Sequence, residues 1–137
     1  MTDAPIDEVP ADFDEVDRKL AQAENHLASA EVEGIDSESA YIILYSAVHK
    51  ALSAALLAAG RRVGTGERGH VILIQEARRQ LGGDYAQLLT RIDRARRKRN
   101  RVAYEAEEIG VNELHSLKRA ARQTLDAVRA FSEERRF

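Results

Sequence analysis

The stretch Arg91–Tyr104, RIDRARRKRNRVAY, concentrates the side chains best suited to hold a phosphate. Between Arg91 and Arg101 it carries seven Lys or Arg and a single acid, Asp93, in a chain whose formal net charge is −2. Guanidinium groups grip phosphate oxygens in a planar fork and stay charged at neutral pH. The apolar register adds a second signal. Tyr85, Leu88, Ile92 and Ala95 recur at three- and four-residue steps, and the next positions of that series are Arg99 and then Val102. A cation therefore takes a core-facing position, where it must find a partner or open into a groove. Asn100, a poor helix former in mid-helix, and Tyr104 lie one turn apart on a shared face, so the two can meet. For Arg94, Arg97, Lys98 and Arg101, a solvated helix face with ion pairs to neighbouring helices explains the charge as well as function does. For Arg99 the same explanation needs a buried acid, such as Glu76.

Other candidate chemistry is thinner. The four histidines His26, His49, His70 and His115 include no pair at i, i+4 and no H-E-x-x-H, which argues against a zinc site. His70 stands out because it closes an arginine- and glycine-rich turn, GRRVGTGERGH, and is a candidate catalytic group. Gly64, Gly66 and Gly69 match G-x-G-x-x-G by spacing, but the dinucleotide fingerprint follows a strand and here a long helix precedes it. Arg61, Arg62 and Arg68 of the same turn can hold a phosphate at the start of the next helix. No serine stands in a nucleophile elbow, and the chain has no cysteine, which removes thiolate metal sites, disulfides and cysteine nucleophiles.

The elements that must position these groups read as helices. Helix one starts with Asp12 as cap and Glu15 three residues on, and carries a narrow seam of Phe13, Val16, Leu20, Ala23, Leu27 and Ala30. Helix two, Ser37 to Gly60, is apolar nearly all round and is the central packing element, with Tyr41, Tyr45 and His49 on one face. Helix three covers roughly Glu67–Leu81. Asp84, with Gln87, caps helix four, which fades through Glu105, Glu107 and Glu108 to Gly110. Asn112 caps helix five, whose seam is Leu114, Leu117, Ala121, Leu125 and Val128. No strand is expected. The fold class is all-α, a four- to five-helix antiparallel bundle with short glycine turns.

At 137 residues the chain suits one domain with a core large enough to need no metal or disulfide. Residues 1–10, acidic and broken by Pro5 and Pro10, read as a flexible arm, and 11–137 as a single helical domain. Residues 1–17 hold seven acids and no base, the mirror of the basic fourth helix. No signal-peptide pattern and no apolar run of membrane-spanning length is evident, so a cytoplasmic protein is expected.

RKRNRVAYE (97–105), late in the fourth helix, together with YSAVHKALSAALLAAG (45–60) and GERGH (66–70), resembles the HEPN-domain family. The similarity of pattern spans about Tyr41 to Val128. The resemblance implies a homodimer whose arginine motifs line a shared cleft, with no metal or cofactor. It also implies RNA as the substrate class, a toxin–antitoxin or antiviral setting, and a nucleotidyltransferase-type antitoxin as partner. The family's catalytic pattern is Arg, a polar residue, then His four to six residues on. Arg99 and Asn100 match its opening, whereas Tyr104 stands where the histidine belongs. RNA cleavage through the 2′-hydroxyl needs groups that titrate near neutrality, and a tyrosine ordinarily titrates near 10. The expectation is therefore an RNA-engaging protein, catalytically weak or silent, with Arg99 and Tyr104 at the site and Arg97, Asn100, Arg101 and His70 around it. An active metal-independent endoribonuclease and a non-catalytic dimeric interaction module are the alternatives.

Overall fold

The structure is a computed structural model that describes residues 6–64 and 68–136. Gly66 of the glycine spacing, and Glu67 where helix three was expected to open, lie outside the described residues, as does Pro5. The molecule is an all-α bundle of five helices: α1 Phe13–Ser29, α2 Ser37–Ala58, α3 Gly69–Leu81, α4 Ala86–Glu105 and α5 Val111–Arg136.

Helix α2 is the axle. Its alanines let neighbouring backbones come close, and it packs against all four other helices. One part of the core lies between α2, α3, α4 and α5 and is built on Leu44, Leu52, Leu56, Leu89 and Ile92. The other joins α1, α2 and α5 through Val16, Leu20, Leu57, Leu125 and Val128. The α1 seam points inward as its spacing predicts, with Val16 and Ala23 fully buried. Contrary to the sequence expectation, α2 is long and apolar enough to cross a membrane by length and composition alone, with a mean hydropathy of 1.4 over its most apolar window. Two-thirds of that window (67%) is buried inside the bundle, so its apolarity is satisfied by neighbouring helices.

The structure corrects the expectation that no strand forms. Ile6–Glu8 (β1) pairs antiparallel with Arg61–Val63 (β2), with Asp7 opposite Arg62 and Glu8 opposite Arg61. Three-residue strands are too short for a period-two signal, and the arginines of β2 pair with Glu76 and Glu15 rather than with the acids of β1. Within the acidic segment, Ile6–Glu8 is thus a strand. Gly60 makes the junction possible. It sits at φ +74, and a Cβ there would lie 3.0 Å from the Val9 carbonyl that backs the turn.

Helix boundaries differ at two of the three expected N-caps. Asp12 caps α1 as expected, accepting from the Glu15 amide at 3.1 Å. Asp84 does not cap α4: a 3₁₀ turn at Gly83–Tyr85 intervenes, so Tyr85 takes the cap position and makes no side-chain bond. Asn112 does not cap α5, which already begins at Val111. The Glu113 carboxylate instead accepts from the Gly110 amide at 3.0 Å. Helix α4 stops sharply after Glu105, where Ala106 adopts a left-handed conformation.

Candidate nucleic-acid interface

The basic run lies wholly within α4, whose core stripe of Leu88, Leu89, Ile92, Ala95 and Val102 docks on the bundle. The remaining residues divide the cations between two flanks. On the α5 side, Arg91, Arg94, Arg97, Lys98 and Arg101 line an open groove of about 590 Å³ whose opposite wall is α5, with Tyr41 and Ala95 among the lining residues. Toward α2 and α3, Arg96 and Arg99 face the start of α3 and the buried Tyr45.

Several of these charges are neutralised locally. Asp93 bonds Arg96 at 3.0 Å and Arg97 at 2.9 Å. Glu107 accepts from Arg101 at 2.8 Å and Lys98 at 3.1 Å, and Glu113 also meets Lys98, at 3.2 Å. The Arg101 hydrogen bond, seconded by Lys98, holds the Glu107 carboxyl below its ordinary range. Among the described residues, Arg91, Arg94 and Arg99 have no acid partner.

Arg99 is half-buried, and its Nε is buried without a hydrogen-bond partner. Its Nη1 reaches Oδ1 of Asn100 at 3.4 Å, a weak contact. The acid suggested as its neutralising partner, Glu76, is engaged elsewhere. Glu76 is 2% exposed and bonds Arg61 at 3.3 Å, Arg79 at 2.9 Å and Gln80 at 2.8 Å. Arg62 likewise grips Glu15 with both carboxylate oxygens at 3.1 Å. Of the turn arginines proposed for phosphate, these two are therefore already committed to carboxylates.

A cluster that sequence spacing only half reveals lies beside Arg99. The Tyr45 hydroxyl is 3.3 Å from Nδ1 of His70, and their rings stack at 5.8 Å. His49, one turn along α2 from Tyr45, also packs against the His70 ring, with centroids 4.5 Å apart. His70 reaches the surface, but its inner edge is desolvated by these rings. Burial, then the nearby Arg99 and Arg96 charges, lowers its pKa. Burial first and His70 second push His49 down to about 4. Burial lifts Tyr45 to about 12, against the opposing pull of Arg96 and Arg99. Both imidazoles are thus neutral at pH 7. The i, i+4 spacing of Tyr45 and His49 was legible, but nothing in the sequence joins them to His70.

The candidate residues therefore fall into three places. Arg99, Asn100 and His70 sit on the inner flank, and Arg97 and Arg101 lie along the groove. Tyr104 is at the end of α4, 79% exposed, with no hydrogen bond to Asn100 or to any other described residue. Among the described residues no group of three His, Asp or Glu side chains could hold a metal ion. No family model matches the chain, and no curated protein matches it.

Proposed function

We propose that this is a HEPN-like, RNA-engaging helical bundle that binds single-stranded RNA across α4 and does not cut it efficiently. The observation that carries the reading is the pattern of unneutralised charge: Arg91 and Arg94 in the groove and Arg99 on the opposite flank. An arginine without an acid is a free phosphate fork, and a strand crossing α4 meets both flanks. An α-helix with its side chains is only about 10–12 Å across. Asn100 touches the Arg99 guanidinium, Arg97 adds positive field because it shares Asp93 with Arg96, and Arg101 reaches the same groove although Glu107 matches its charge. Tyr104 offers a ring and a hydroxyl to the RNA from the end of the helix. It is not set against any group with which to exchange a proton, which favours binding over cleavage.

The Tyr45–His70 contact favours a second reading. A neutral imidazole, fixed at Nδ1 and placed near an unpaired guanidinium, has the parts of a general base beside a phosphate-stabilising charge. On this reading the protein is a metal-independent endoribonuclease that uses His70 in place of a motif histidine. The homodimer and the nucleotidyltransferase-type antitoxin belong to the resemblance and are proposed with it.

Incubating purified protein with single-stranded RNA in the presence of a chelator separates the readings. Binding with the RNA left intact supports the first. Cleavage that disappears in both Arg99→Ala and His70→Ala supports the second. Neither binding nor cleavage leaves a dimeric interaction module.

A further inference from the structure

The α4 groove continues past Arg91 into a second depression of about 430 Å³, where the first turn of α4 faces α5. Its chemistry is different. Tyr85 contributes a half-buried ring and Leu88 a buried apolar floor, while Gln87, Gln123 and Asp126 stand exposed around the rim. None of these three polar side chains makes a hydrogen bond within the described residues, so their donors and acceptors are open to a ligand. The carboxylates Asp84 and Asp126 repel phosphate, so the occupant must present hydrogen-bond donors and no negative charge. Arg91 lines both depressions, which puts this one a single side chain away from the proposed phosphate track.

We propose that this depression is a nucleobase subsite that selects guanine in single-stranded RNA, an inference that rests on the RNA-binding reading. A base swung out of the strand stacks on the Tyr85 ring, the sequence-tolerant part of such sites. Selection falls to the rim. A carboxylate offers two acceptor oxygens side by side, and guanine is the base whose Watson–Crick edge presents two adjacent donors, N1–H and N2–H. The Asp126 carboxylate accepts these two hydrogen bonds, and the Gln87 and Gln123 amides donate to O6 and N7. Uracil has one donor on that edge and adenine offers its single amino group beside an acceptor, so neither satisfies the carboxylate.

The test is fluorescence anisotropy at fixed salt with three labelled single-stranded RNAs of equal length: uridine only, and the same strand with two central guanines or two central adenines. The guanine strand is expected to bind about tenfold more tightly than either other, the discrimination typical of a bidentate contact. Asp126→Asn and Gln123→Ala, both at exposed positions, are expected to remove most of that preference without weakening the uridine strand. Equal binding of all three strands, or a guanine preference that survives Asp126→Asn, overturns the subsite and leaves the RNA reading standing. Failure of every strand to bind removes the RNA reading and the subsite together.

Discussion

Nδ1 of His70 lies 3.3 Å from the Tyr45 hydroxyl, across 25 residues of sequence. This contact ties the start of α3 to the central helix and turns the imidazole toward the arginine-bearing face of α4. It also makes a pH-dependent part of the fold. His49, packed against the same ring, has its pKa pushed down to about 4 by burial, from an ordinary value of 6.5. A histidine depressed in the folded state is neutral there while the unfolded chain takes up a proton, so stability is full above about pH 6.5 and is lost toward pH 4. Urea unfolding across that range is expected to show a fall on the order of 2 kcal/mol that shrinks in His49→Leu. A stability flat from pH 7 to 4.5 would contradict the packing described for this ring.

Arg99 stands where the helix register calls for an apolar residue, and its buried Nε is unbonded. Arg99→Met removes that desolvated polar group and keeps the stem packing. The variant is expected to unfold about 1 kcal/mol harder than the parent while binding RNA several-fold more weakly. Thermal denaturation read beside an RNA titration checks both halves. Loss of stability would show that the guanidinium is structural.

Glu76 holds β2 onto α3 through Arg61, and Arg79, one turn along α3, shares the same carboxylate. Glu76→Ala leaves Arg61 without its carboxylate and opens a cavity in the core, and is expected to cost about 3 kcal/mol. Chemical denaturation measures it directly. A loss under about 0.5 kcal/mol would mean that the pair is as expendable as an ordinary surface bridge.

Much of this was legible in the sequence, and the losses have physical reasons. The α1 seam and the all-round apolarity of α2 carry strong periodic signals, so both helices and the centrality of α2 could be read directly. The cap at Asp12 was equally readable, because Ncap chemistry is local. Asp84 and Asn112 failed as caps because a 3₁₀ turn and a one-residue earlier start shifted the register, which local residue type does not encode. At the site, the cationic stripe and the misfit of Arg99 were visible. The division of α4 into two flanks was not, since it depends on where α5 and α3 lie. The neutralisation of Lys98 by Glu107 and Glu113 depends on the left-handed turn at Ala106 folding the acidic segment back, and a non-glycine residue gives no warning of it.

The HEPN-like reading expects a homodimer with arginine motifs facing one another. Sedimentation equilibrium over a wide concentration range is expected to return twice the 15.3 kDa chain mass. A monomer throughout would remove the shared cleft and leave RNA binding to a single α4.

The most direct measurement is the salt dependence of RNA affinity for the parent, Arg94→Ala and the double variant Arg91→Ala/Arg94→Ala. If these unpaired arginines grip phosphates, log Kd against log salt is steep in the parent, and the slope shrinks by about 0.7 for each arginine removed. Binding that ignores salt, or a slope unchanged in the double variant, would contradict the assignment of α4 as the RNA-binding helix.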